Sequence, residues 1–220
     1  IKIPDVFPSL YNNYGDLSLL PIGDVIITNN TKLPIKYSDM SLEIPGLMIE
    51  PTVQKSGILV GYSNSIVSLT AIFSPKILEL TQSQKIQAKL SVNYNYDNKA
   101  RIASKTVPIT IHERNAINWA DKKRLVSFIT QGAGPVNDFA RTCSEYFSRV
   151  ASNDIHDNLS TALKLYTILN GLRINYLPDP ELSYTAVSTN TNLIDFLQYP
   201  GETLIRKVGD CDDLVTLYSA

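Results

Sequence analysis

Cys211 stands in the run Arg206-Lys207-Val208-Gly209-Asp210-Cys211-Asp212-Asp213-Leu214. Gly209 lets the chain turn, Asp210 is a good N-cap, and Leu214, Val215, Leu217 and Tyr218 begin a helical pattern. Cys211 is therefore expected in the first turn of a helix. Free backbone amides and the helix dipole favour a thiolate there, which is one way to prepare a nucleophile. The bland reading stands level with this one. In it Cys211 is a buried residue at the start of a core helix, and Asp212 and Asp213 are only favourable first-turn acids. Asp210, Asp212 and Asp213 lack the loop of a calcium hand, so no metal is expected at them. Nothing in the sequence calls for a cofactor.

Other groups capable of chemistry are few. His112 ends a predicted strand beside Glu113, and His156 lies between Asp154 and Asp157 in the polar entry to a helix. Neither has a partner at catalytic or metal-ligand spacing, so both read as ordinary histidines. Cys143 falls between Ala140 and Phe147 on an apolar helical stripe, where a free cysteine behaves as a small hydrophobe. A Cys143–Cys211 disulfide would pull Cys143 off that stripe and consume the thiol. The sequons at Asn29 and Asn158 carry little weight in a chain so rich in Asn, Ser and Thr.

The elements that must position Cys211 fall into two halves, with the boundary at residue 113. Before it the pattern has period two. Ile86, Ala88, Leu90, Val92, Tyr94 and Tyr96 alternate with polar residues, Asp97-Asn98 turns the chain, and a second strand runs from Ile102 to Ile111. Val25–Thr28 and Leu33–Tyr37 read as a hairpin, and Ile66–Phe73 as another strand. This spacing predicts an immunoglobulin-like β-sandwich over residues 1–113. After it the period is 3.6. Trp119, Leu125, Val126, Phe128 and Ile129 share one helical face. Val136, Phe139, Ala140, Cys143, Phe147 and Val150 share another. Leu159, Ala162, Leu163, Tyr166 and Leu169 form a third. A long polar connection, Tyr176–Tyr199, precedes the Cys211 run, and such loops are usually functional or flexible.

Composition narrows the class. The 220 residues carry 20 Lys plus Arg against 21 Asp plus Glu, a formal net charge of −1, which argues against a nucleic-acid protein. The apolar runs are far shorter than the roughly 20 residues that span a bilayer. With 44% hydrophobic residues the chain is expected to be globular. The first residue is Ile rather than Met, which predicts a trimmed N-terminus.

Three segments together resemble the transglutaminase-like superfamily of thiol enzymes. They are Tyr176-Leu177-Pro178-Asp179-Pro180, Gln198-Tyr199-Pro200-Gly201-Glu202-Thr203-Leu204 and Gly209-Asp210-Cys211-Asp212-Asp213. The last is similar to the nucleophile motif G-D-C-D-D-L of a microbial branch. Arg114-Asn115-Ala116-Ile117-Asn118-Trp119 looks like the junction between an N-terminal sandwich and the helical part of such a domain. The resemblance implies an α+β chain: the sandwich, then residues 114–220 as the incomplete, mainly helical N-terminal half of a papain-like thiol domain. It also implies a Cys-His-Asp (or Asn) triad in that chain order, acting on peptide or protein amides through a Cys thioester. Only Cys211 matches a catalytic position. Its own backbone amide would contribute to the oxyanion hole, and Tyr184 or Gln198 would line the site.

The chain departs from the pattern by ending at Ala220, within the predicted Cys211 helix, while His112 and His156 precede the cysteine. The expectation is a fragment that is inactive by itself, cut from a parent that hydrolyses or transfers amide acyl groups. Its truncated C-terminal face is expected to drive homo-oligomerisation. The alternative is a non-catalytic binding or scaffold protein with a degenerate thiol domain. Sandwiches joined to catalytic domains lean toward an extracytoplasmic location.

Overall fold

The computed structural model describes residues 1–132, 134–149, 157–178 and 184–220. The chain is α+β, and it divides into two compact units, Ile1–Arg114 and Asn115–Ala220. His156, Asp154 and Val150 lie outside the described residues.

The first unit is built from six strands in two sheets. Strands β1 (Gly23–Thr28) and β4 (Asn64–Leu69) pair antiparallel. The larger sheet has the order β3-β2-β5-β6, with β2 Ile35–Glu43, β3 Thr52–Leu59, β5 Gln84–Tyr96 and β6 Lys99–Ile111. Strands β5 and β6 are joined by Asp97 and Asn98, both at positive φ (53° and 55°). That is the two-residue turn whose twist matches the flanking strands. In β2 a register shift between Tyr37 and Asp39 changes the inward face, so Tyr37, Met40 and Leu42 are all buried. One extra residue in a strand reverses its alternation.

The expected hairpin between Val25–Thr28 and Leu33–Tyr37 does not form, because β1 and β2 belong to different sheets. The cause is Asn29, which is 1% exposed. Its Nδ2 donates to the carbonyls of Leu33, Leu59 and Val60 at 2.8, 3.2 and 3.1 Å, and its Oδ1 accepts from Thr31 N–H at 2.9 Å. A buried amide satisfied in this way fixes a crossing between sheets rather than a tight turn. It also leaves no free side chain for a glycan.

His112 belongs to this unit. Its Nε2 lies 3.2 Å from Asp5 Oδ2 and its Nδ1 3.3 Å from Ser83 Oγ, while the ring stacks on Phe7 at 4.9 Å. Together these contacts fasten the N-terminal segment to the end of β6.

The described residues of the second unit form five α-helices: α1 Gly134–Arg149, α2 Asp157–Gly171, α3 Tyr184–Thr189, α4 Pro200–Arg206 and α5 Cys211–Ser219. It also has two strand pairs. Strand β7 (Ala116–Ile117) runs antiparallel to β9 (Asp195–Phe196), and β8 (Asn175–Tyr176) runs parallel to β10 (Val208–Gly209). Ile117, Phe128 and Leu197 form a core cluster, against which Trp119, Leu125 and Tyr199 pack.

Three expectations shift here. The segment after Trp119 is a 3-10 helix, Lys122–Phe128, capped by Asp121, whose carboxylate accepts from Lys123 N–H; Val126 is left exposed. On α1 Val136 and Cys143 are buried, but Ala140 is exposed. On α2 Leu159, Leu163 and Tyr166 are exposed, and Ser160 is the buried residue. Periodicity locates an apolar face without saying whether anything covers it.

Candidate functional site

The chain from Gln198 to Asp213 sets the position of Cys211. Tyr199 caps α4, its N–H donating to Glu202 Oε2 at 2.9 Å, and Pro200 takes the first helical position. Lys207 ends α4 in the left-handed region, φ 54°. The next two residues pair with β8, and Asp210 then caps α5 so that Cys211 is its first residue. Asp213, the third residue of α5, accepts from Asp210 N–H at 3.3 Å in a capping box.

Cys211 is exposed and faces a cavity of about 450 Å³. The apolar wall is Trp119, Leu125 and Val187, and the charged groups are Lys122, Asp195, Asp210 and Asp212. Trp119 Nε1 donates to Asp195 Oδ2 at 2.7 Å, which fixes both residues beside the thiol. Cys143 is free and buried, and burial pushes its thiol pKa up.

The electrostatics run against the simplest helix-terminus argument. Backbone amides of Asp212 and Cys211 favour the Cys211 thiolate, as the first turn of a helix should. Burial opposes them, followed by the nearby carboxyls of Asp212 and Asp210, and the net effect raises the thiol. The expected depression is thus reversed, because acids next to a thiol disfavour a second negative charge. Asp212 is itself pushed up to about 8, by burial first and then by its hydrogen bond to Asp210. At neutral pH Asp212 therefore holds its proton. Donor atoms of Asp210, Cys211 and Asp212 lie within 4.8 Å of one another.

The remaining residues singled out from sequence go to different places. Gln198 is buried and does not line the cavity. Its N–H and Nε2 donate to Asp213 at 2.7 and 2.6 Å, and Nε2 also donates to Val208 O at 3.1 Å. Asp213 is therefore an internal anchor, separate from the Asp210–Asp212 pair. Burial raises its pKa, while the donors of Gln198 lower it. Tyr184 is the first residue of α3, the helix that brings Val187 and Ser188 to the cavity.

No protein-family profile matches the chain, and no curated protein matches it. Among solved structures, one described as "Crystal structure of protein from Archaeoglobus fulgidus" is similar over 40% of this chain and 80% of that one. The identity is 10% and the TM-score 0.32. A likeness of that size assigns neither fold nor function.

Trp119, Asp195 and Tyr176 were not among the residues expected at the site. Tyr176 lies opposite Gly209 in the β8–β10 pair, and burial first, then the Cys211 thiol, push its hydroxyl pKa up. All three residues come from segments distant in sequence from Cys211. The one available signal was for Tyr176, which opens the first of the three segments carrying the family resemblance.

Among the described residues no helix is long and apolar enough to cross a membrane.

Proposed function

We propose that this chain carries the nucleophile side of a transglutaminase-like thiol site. In this reading the first unit is an immunoglobulin-like sandwich and the second the helical part of a papain-like domain. Cys211 attacks a carboxamide or peptide carbonyl, the amine leaves with a proton, and a thioester remains. Water or a second amine then resolves it and returns the thiol. The base belongs, in the resemblance, to a His later in the chain than the cysteine. The observation that carries the reading is the placement of Cys211: exposed, first in α5, and facing a cavity large enough for a substrate side chain. The amides at the start of α5 are donors of the kind that stabilise an oxyanion.

The second reading, a non-catalytic binding protein, is favoured by the raised thiol pKa. An activated acyl donor, p-nitrophenyl acetate, separates the two. Intact-protein mass spectrometry is expected to show one acetyl group on Cys211, removable by hydroxylamine and absent from Cys211→Ser. Acylation of Cys211 slower than that of N-acetylcysteine at the same pH favours the binding protein.

A further inference from the structure

The far end of the β5–β6 hairpin is uncovered. Lys99 to Thr106 are all exposed, on both faces of the strand, whereas Ile109 and Ile111 at its base are buried. Strand β6 also ends its sheet, which runs β3-β2-β5-β6. The two-residue turn makes Tyr96 and Lys99 a hydrogen-bonded pair, so every odd residue of β6 turns its N–H and C=O toward β5. The even residues turn theirs outward. The base of the strand has the same parity: Thr110 O accepts from Val6 N–H and His112 N–H donates to Val6 O, both at 2.9 Å. Val6 thus adds a short parallel strand to this edge. Beyond it, the outward backbone groups of Ala100, Ile102, Ser104 and Thr106 have no partner among the described residues.

Charge marks the same edge. The hairpin from Gln84 to Ile111 carries Lys85, Lys89, Lys99, Arg101 and Lys105 against Asp97 alone. Lys99, Arg101 and Lys105 share one face of β6 at alternating positions. Arg101 lies over the Tyr96 ring, 5.4 Å from its centroid, which holds the guanidinium on that face. Asp39 belongs to the other face, where it accepts from Asn93 Nδ2 at 2.6 Å. Among the described residues none of these three cations meets a carboxylate.

An uncovered edge invites pairing with another strand. A second β6 laid on the first in register would set cations beside cations, which opposes self-pairing. Outward N–H and C=O groups alternate along the edge. An extended peptide matches both, whereas the phosphate backbone of a nucleic acid offers acceptors only.

We propose that the outer edge of β6 binds an extended acidic peptide, which adds a strand to the sheet and sets carboxylates at alternate positions beside Lys99, Arg101 and Lys105. Backbone pairing supplies the attraction, and alternate side chains supply the selectivity. The cations that reject a second copy are those that select the acidic strand. The inference stands independently of Cys211.

The test is fluorescence anisotropy of labelled acetyl-(Glu-Val)4 with the whole chain at low salt. Saturable binding is expected, and Arg101→Glu with Lys105→Glu is expected to weaken it about tenfold or more. Ile102→Pro removes one outward N–H and no bond to β5, and is expected to weaken binding about tenfold. A fully N-methylated peptide keeps the charge, loses every backbone donor and is expected not to bind, whatever the fate of the variants. No saturation by about 1 mM peptide overturns the proposal. Undiminished binding to Ile102→Pro, or binding of the N-methylated peptide or oligothymidylate as tight as that of the plain peptide, overturns it as well. So does a dimer in sedimentation that Ile102→Pro releases, since the edge then holds a second copy.

Discussion

Asp213 receives Gln198 twice, through the backbone N–H at 2.7 Å and the side-chain amide at 2.6 Å, in a site where both residues are buried. The same carboxyl accepts from Asp210 N–H at 3.3 Å, so one side chain ties the entry to α4 to the cap of α5. Replacing Asp213 with Ala strands three N–H donors. The expected cost is about 3 kcal/mol or more. Urea unfolding followed by far-UV circular dichroism measures it, and a loss below 1 kcal/mol would show that water replaces the carboxyl.

Gly209 stands where no side chain fits. A Cβ there would lie 2.8 Å from Asp213 Cβ, 3.0 Å from Asp213 Oδ2 and 3.2 Å from Thr203 Cγ2. Gly209→Ala is therefore expected to displace Asp213 and destabilise the fold by about 1–3 kcal/mol. Cys211 alkylation in this variant is expected to change as well, because the displaced residue belongs to the helix that Cys211 starts. Unfolding and alkylation unchanged from wild type would mean the helix shifts without cost.

How much of this was legible in the sequence depends on the range of the interactions. Gly209, Asp210 and Cys211 act locally, so their residue types already described a turn, a cap and a first helical residue. The Asp97-Asn98 turn was readable for the same reason. Gln198 was noticed but given the wrong place, since nothing local distinguishes an amide lining a cavity from one buried on Asp213. Trp119 and Asp195 meet beside Cys211 only because β7 pairs with β9. No spacing encodes that pairing. The β1–β2 hairpin failed likewise, because Asn29 finds its partners at Leu59 and Val60, across the fold. The direction of the thiol's shift is not legible in the sequence, because the helix terminus alone shows neither the burial of the thiol nor the carboxyls of Asp212 and Asp210 beside it.

The raised Asp212 has a consequence for stability. Asp212 titrates near 8 in the folded chain and near 3.8 when unfolded. Between those values the native state binds more protons than the unfolded state, so stability is full at low pH and falls as pH rises toward 8. Asp212→Asn keeps a donor to Asp210 and removes the titration. The variant is expected to melt a few degrees above wild type at pH 8 (about 2–4 °C per kcal/mol for a chain of this size) and level with it at pH 4. A melting difference that does not vary with pH would remove the raised Asp212 from the account.

The carboxyls around Cys211 also predict which reagents it meets. Asp195 and Asp210, with Asp212 holding its proton at neutral pH, line its cavity against Lys122, the single cation among its described lining residues, so the local field is negative. Cationic, neutral and anionic methanethiosulfonates all react with the same thiolate fraction, so the raised thiol pKa cancels from their rate ratios. The cationic reagent is expected to exceed the anionic one at Cys211 by about tenfold relative to a free cysteine peptide, which matches the Coulomb energies of charges a few ångströms apart near a surface. Asp195→Asn should lower the ratio and Lys122→Ala should raise it, while about 1 M salt, with a Debye length near 3 Å, should shrink it toward unity. Buried Cys143 supplies an internal control that reacts slowly with all three. A ratio near one at low salt, insensitive to either substitution, would mean that Lys122 and solvent neutralise the cavity.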